Sequence, residues 1–190
     1  MSFAELAKRH HFDPVPAEQW PAHLPDFVAR ALPADGCLVF PVADEHSDTA
    51  QFSARFGFSL EDCANTLILR FTKEGVDRYA AVVTLGSRRL DINGAVKAAL
   101  DARRLSFAKR EIASELTGME FGGVTAFGLP ADMPILIDAA VMERACVVVG
   151  AGYRRTKILV PPSLLQALPQ ASVAALAFQE PVDAAPPSAP

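Results

Sequence analysis

The chain has little with which to hold a metal or to cross a membrane. Its 190 residues include three cysteines and four histidines. Cys37, Cys63 and Cys146 are widely spaced, with no CxxC pair and no histidine pair at ligand spacing, which excludes the common structural zinc motifs. Each lies in an apolar run and reads as a small buried hydrophobe of a reducing compartment. No apolar run approaches the roughly 20 residues that span a bilayer, and "MSFAELAKRHHF" lacks the apolar centre of a signal peptide. A cytoplasmic protein is expected, without membrane contact, metal or cofactor. No Ser/His/Asp or Cys/His arrangement stands out by spacing, and His46, alone among the histidines in the central region, sits beside a helix cap where surface or capping duty is the ordinary role.

What the chain does have is apolar content, 51% of its residues, enough to bury the core of one domain without covalent staples. Its charge is uneven. The overall balance of −4 hides a first stretch, Met1 to Leu69, with 4 basic and 10 acidic residues, and a middle stretch, Arg70 to Lys157, with 14 basic and 10 acidic. Arg88, Arg89, Arg103, Arg104, Lys109 and Arg110 make that middle a candidate phosphate-binding face on an acidic molecule, although solvated arginines are the plainer reading.

The first 36 residues read as a helical appendage, with a helix near Ser2 to Arg9, three spaced prolines, and a second helical stretch near Pro25 to Leu32. "CLVFPV" then reads as a strand, and "DTAQFSARFG" as a helix capped by Ser47 or Asp48 and closed by Gly57. "NTLILRF" and "RYAAVVTL" are strands joined by a hairpin at "TKEGVD". Asp91 can cap "INGAVKAALDAR", and "KREIASELTG" forms a helix that stops at Gly118. "PILID", "ACVVVG" and "TKILV" read as strands, and Pro161 opens a last short helix. From Glu180 onward the alanine and proline tract has nothing to bury and predicts disorder. The expected organisation is an appendage over 1–36, a domain over 37–178 and a tail over 179–190. Strands interleaving irregularly with short helices place the domain in the α+β class, as a single compact unit around a curved mixed, largely antiparallel β-sheet.

Four stretches can carry chemistry. "VVVGAGYRR" ends a strand on Gly150 and Gly152 but lacks the third glycine and the crossover helix of a dinucleotide fold, so a hairpin presenting Gly152, Arg154 and Arg155 at its turn is expected. "FGGVTAFGLP" puts Gly122, Gly123 and Gly128 in one loop, whose backbone can approach a ligand closely, with Thr125 adding a hydroxyl; a plain tight turn is equally compatible. Asp138, ending "PILID", is either the cap of the next helix or a carboxylate facing a pocket. "CANTLILRF" opens a strand with the polar pair Asn65 and Thr66.

Taken in order, "HSDTAQFSARFGFSLEDCANTLILRF", "YAAVVTLGSRRLDINGAVKAAL", "SELTGMEFGGVTAFGLP", "PILIDAAV" and "VVVGAGYRR" resemble the YbaK/ProX family of aminoacyl-tRNA deacylases, relatives of the editing domain of prolyl-tRNA synthetases. The resemblance implies an α+β fold and hydrolysis, in trans, of the ester joining a wrong amino acid to tRNA, a second sieve for errors that a synthetase pocket cannot reject. It implies roles at the ester for Asn65, Gly122, Gly123 and Asp138, and contacts to substrate or tRNA for Thr66, Thr125, Gly128, Gly152 and Arg154. The implied partner is the aminoacylated 3′ end of tRNA, with an aminoacyl-tRNA synthetase as a second candidate; oligomeric state is not implied. Asn65 stands where the family carries a lysine, and a neutral amide replaces a full charge there. A non-catalytic tRNA- or synthetase-binding module of the same fold is therefore the alternative, and a hydrolase of another ester the third reading.

Overall fold

The structure, a computed structural model, describes residues 2–179; the tail expected from Glu180 onward lies outside them. The chain starts with α1 (Phe3–His10), whose Ser2 and Glu5 cap each other's backbone in a capping box. A short helical turn (Ala17–Ala22) and α2 (Asp26–Ala31) follow, and then β1 (Leu38–Pro41). Next is α3 (Thr49–Phe56), which ends at Gly57 as its sequence predicts.

The hairpin of β2 (Ala64–Lys73) and β3 (Val76–Leu85) is the backbone of the fold, paired from Ala64 opposite Leu85 to Lys73 opposite Val76. Its two-residue turn has positive φ at both Glu74 (53°) and Gly75 (79°), the combination whose twist matches that of the strands it joins. Beyond it come β4 (Arg88–Leu90), a wide helical turn (Ile92–Val96) capped by the Asp91 carboxylate, and α4 (Lys97–Ala99). β5 (Arg104–Phe107) and α5 (Arg110–Thr117) precede a long loop. The chain closes with β6 (Ile135–Asp138), α6 (Ala139–Met142), β7 (Val147–Gly150), β8 (Thr156–Val160), α7 (Pro162–Gln166), β9 (Ala171–Ala174) and β10 (Ala177–Gln179).

Five strands form a mixed sheet in the order β5-β2-β3-β6-β9, with β6 parallel to both of its neighbours and the other pairs antiparallel. Three form an antiparallel sheet, β1-β8-β7, and β4 pairs with β10. The α+β class and the mixed sheet match the expectation, and over the three sheets together antiparallel pairings outnumber parallel ones, five to two. The larger sheet is covered on both faces. Ile68, Ala81 and Ile135 look into one core, while Leu69, Val82 and Leu136 look into another beneath the Ile92–Val96 turn, which is the period-two alternation of strands packed on both sides. A third core is aromatic: Phe12 stacks on Phe40 at 4.1 Å between centroids, and Phe52 and Phe58 surround them. The N-terminal segment is woven into these cores, since Trp20, Leu24, Val28 and Leu32 join the first and Phe12 the third.

Candidate functional site

The two principal sheets pack on a shared core and are joined by a single backbone bridge. Cys63, just before β2, makes one parallel bridge to Val148 of β7; beyond it the strands part without further pairing. Between them opens a cavity of about 440 Å³, lined by Cys63 to Ile68 on one side and Val148 to Gly150 on the other, with the start of α3 and Phe121, Gly122 and Val124 closing it. Ala64, Ile68, Ala113, Val124 and Val149 make one wall apolar, whereas Asp48, Thr49, Asn65, Thr66 and Lys157 supply polar groups. This is the size and composition of a small-molecule site, a largely apolar recess with a few convergent polar side chains.

The loop that closes the cavity is held by backbone lying on backbone. Gly152 donates its N–H to the Gly123 carbonyl (2.7 Å), and Glu120 donates to the Gly152 carbonyl (2.8 Å). A side chain on Gly123 would put its Cβ 2.6 Å from the Tyr153 carbonyl carbon, so only glycine allows the loop to sit against the β7–β8 turn.

Asn65 does face the cavity. Thr49 Oγ1 donates to its Oδ1 at 2.7 Å, which engages the amide oxygen and leaves the NH₂ group as the free, donating end. The cavity also holds a cation that sequence reasoning passed over. Lys157 lies in β8, opposite Gly150 of β7 and Phe40 of β1. It is only 7% exposed, lines the cavity and has no ion pair among the described residues. Burial lowers its pKa to about 8, with Arg154 pushing the same way while the Asp48 carboxylate opposes it. The ammonium still predominates at neutral pH. Burial drives the Cys63 thiol the other way, up to about 12, so that sulfur stays protonated and is no nucleophile.

The remaining predicted residues fall into two groups. Thr66 and Gly122 line the cavity with Asn65, and Gly123 supports the loop from behind. Thr125, Gly128, Asp138, Gly152 and Arg154 are not among the lining residues. Thr125 is fully buried, and its hydroxyl has no hydrogen-bond partner among the described residues. Gly128 packs on the backbone of Phe27, and Gly152 on the ring of Pro25. Asp138 is buried, and its Oδ1 accepts the N–H of Leu176 (2.9 Å), fastening the segment between β9 and β10 rather than capping α6. Arg154 sits at the expected hairpin turn, where its guanidinium is held by Asp44 and Asp48, each at 3.2 Å. That pairing is why Asp48, at the N-cap position of α3, makes no side-chain cap bond. Among the described residues no cluster of three or more His, Cys, Asp or Glu side chains could hold a metal ion, and no helix is long and apolar enough to cross a membrane.

Residues 44–168 match the family model of the "Aminoacyl-tRNA editing domain". A search of curated proteins found no match. Among solved structures, a hypothetical protein is 25% identical, with a TM-score of 0.69, covering 86% of this chain and 100% of its own. A protein described as "a putative trans-editing enzyme for prolyl tRNA synthetase" is 20% identical, with a TM-score of 0.71, over 87% of this chain and 99% of its own. A "putative signal transduction protein" from Marinobacter aquaeolei VT8 shares the fold at a TM-score of 0.54 and 18% identity, over 81% of this chain but 31% of its own.

Proposed function

The chain belongs to the aminoacyl-tRNA editing domain family, and from that premise we propose that it is a trans-editing hydrolase, cleaving the ester between a wrongly attached amino acid and the terminal ribose of tRNA. The observation that carries this reading is Lys157, a buried lysine with no ion pair among the described residues, lining the same largely apolar recess as Asn65. A charge kept in such a place costs stability unless something negative arrives to meet it.

In the reaction, a water oxygen bonds to the ester carbonyl carbon and the carbonyl electron pair moves onto oxygen. When the bond to the ribose oxygen breaks, that oxygen leaves with the pair and takes up the proton the water gives away. The Lys157 ammonium and the Asn65 NH₂ group donate to the developing oxyanion, a service worth about 3 to 4 kcal/mol for one donor in a water-poor site. The cation thus enters from β8, and the amide in β2 orients the carbonyl. Ala64, Ile68, Ala113 and Val149 receive the amino acid side chain, which favours a small apolar one. The Gly122 loop lies over the ester, and Thr66 lines the same wall. Gly123, Thr125, Gly128, Gly152 and Asp138 act by holding this shell together. Arg154 is saturated by carboxylates and serves the turn before it serves tRNA.

One observation favours the second reading, a binding module without turnover: Asp48, the one carboxylate that lines the cavity among the described residues, is already engaged by Arg154. The test is to incubate the protein with tRNAs charged with alanine, cysteine, serine, threonine or proline and to follow ester loss, alongside Asn65→Ala, Asn65→Lys and Lys157→Met. Hydrolysis by the native protein that falls in Lys157→Met and Asn65→Ala supports the enzyme. No hydrolysis by any form, with tRNA still bound, leaves the module.

A further inference from the structure

Two phenylalanine rings stand in solvent at the rim of the cavity. Phe107, at the end of edge strand β5, is 57% exposed, and Phe121, in the closing loop, is 48% exposed; both line the opening. The chain has apolar cores within reach of this region, so exposed rings gathered at one opening mark a contact surface rather than leftover hydrophobicity. The guanidinium of Arg110 lies 4.4 Å from the centroid of the Phe121 ring, in cation–π contact. Arg103, Arg104, Lys109 and Arg110 are exposed along the same edge, and among the described residues none of the four is in an ion pair. Arg154, which lies against Gly122 of the closing loop, differs from these four, because Asp44 and Asp48 neutralise it.

Flat aromatic faces flanked by unpaired cations are the chemistry that binds single-stranded nucleic acid, the rings stacking on bases while the cations meet phosphates. An apolar protein segment would be served by the rings but would not call for a run of exposed cations beside them. Resting on the functional reading above, the geometry restricts the occupant further: if the terminal ribose ester enters the cavity, the nucleotides just before it must cross the rim. We propose that Phe107 and Phe121, with Arg110, form a stacking platform for the bases immediately preceding the terminal nucleotide of tRNA, and that Arg103, Arg104 and Lys109 contact the phosphates of that unpaired strand.

The test measures binding without chemistry. An uncharged, fluorescently labelled tRNA transcript is titrated by anisotropy, alongside the same transcript with abasic sites at the two positions before its terminal nucleotide. Phe107→Ala and Phe121→Ala are each expected to weaken binding of the intact transcript roughly 5- to 100-fold and to leave binding of the abasic transcript unchanged. Phe121→Trp retains affinity, and Phe121→Leu, which keeps an apolar side chain without a ring, does not. Arg104→Ala lowers affinity for both transcripts and flattens the salt dependence. Equal binding of intact and abasic transcripts, or full affinity in Phe121→Leu, overturns the platform and leaves an apolar protein contact as the use of this rim. Because the probe carries no ester, the outcome is separate from the hydrolytic reading: stacking without turnover would sink the hydrolase alone, and turnover without stacking would sink the platform alone.

Discussion

Arg154 and Lys157 are three residues apart on one hairpin, yet they live in opposite electrostatic worlds. At the turn, the Arg154 guanidinium reaches two carboxylates in a half-open setting. In the strand, the Lys157 ammonium is buried, lacks a counter-ion among the described residues, and has its pKa lowered to about 8. A paired surface cation is part of the scaffold and contributes little. An unpaired buried one opposes folding and persists where another use repays its cost. The difference separates a structural charge from a functional one more clearly than proximity to the cavity does.

The largest effect should come from removing the buried charge. Lys157→Met, close in volume, is expected to slow ester hydrolysis by about 100- to 1000-fold in single-turnover assays. The same change should make the protein more stable at pH 7, by up to about 3 kcal/mol in urea unfolding, since it removes a cation whose proton affinity falls on folding. A variant that is less stable and equally active would erase the contrast. Next in size is the pH dependence. Lys157 sheds its proton near pH 8 in the folded chain and near its ordinary value of about 10.5 when unfolded. Turnover that needs the ammonium should therefore fall about tenfold per unit above pH 8. The contribution of this group to stability should rise with pH between about 8 and 10.5, because there the unfolded chain keeps a proton that the folded one has lost.

Smaller shifts follow from the neighbours. Asp48 supports the charge on Lys157 and Arg154 opposes it, so Asp48→Asn should move the alkaline limb of the rate profile to lower pH and Arg154→Met should move it higher. Movement in the reverse sense would show that the hairpin charges do not sense one another. Smallest is the stability change in Arg154→Met itself, under about 1 kcal/mol by chemical denaturation, as for other exposed ion pairs.

The fold was legible where apolar periodicity was strong and long: the β2–β3 hairpin, the buried strands β6 to β8, and the helices that end at Gly57 and Gly118. β4, β5, β9 and β10 escaped notice because they are only three or four residues long, and such segments become strands only when a neighbour offers an edge. Among the residues lining the cavity, Asn65, Thr66 and Gly122 stood out in the sequence, through the polar break before an apolar strand and the paired glycines. Lys157 was not, because "TKILV" reads like a strand that shows its lysine to water. β8 is the central strand of its sheet, between β1 and β7, and that position depends on pairings over more than a hundred residues. The signal available was a lone lysine in an otherwise apolar run, and it needed the sheet order to give it meaning.

The pairing of Phe40 with Lys157 bears on where this protein can be trimmed or transplanted. The family match begins at residue 44, and β1 ends just before it, at Pro41. A fragment cut to 44–168 would retain every residue that lines the cavity and would nonetheless strip the neighbour that keeps β8 from becoming an outer edge. Water would then reach the lysine, its proton would be held as in a free side chain, and the fragment would carry the right residues in the wrong dielectric. A working graft needs the strand that precedes the recognised domain as much as the domain itself.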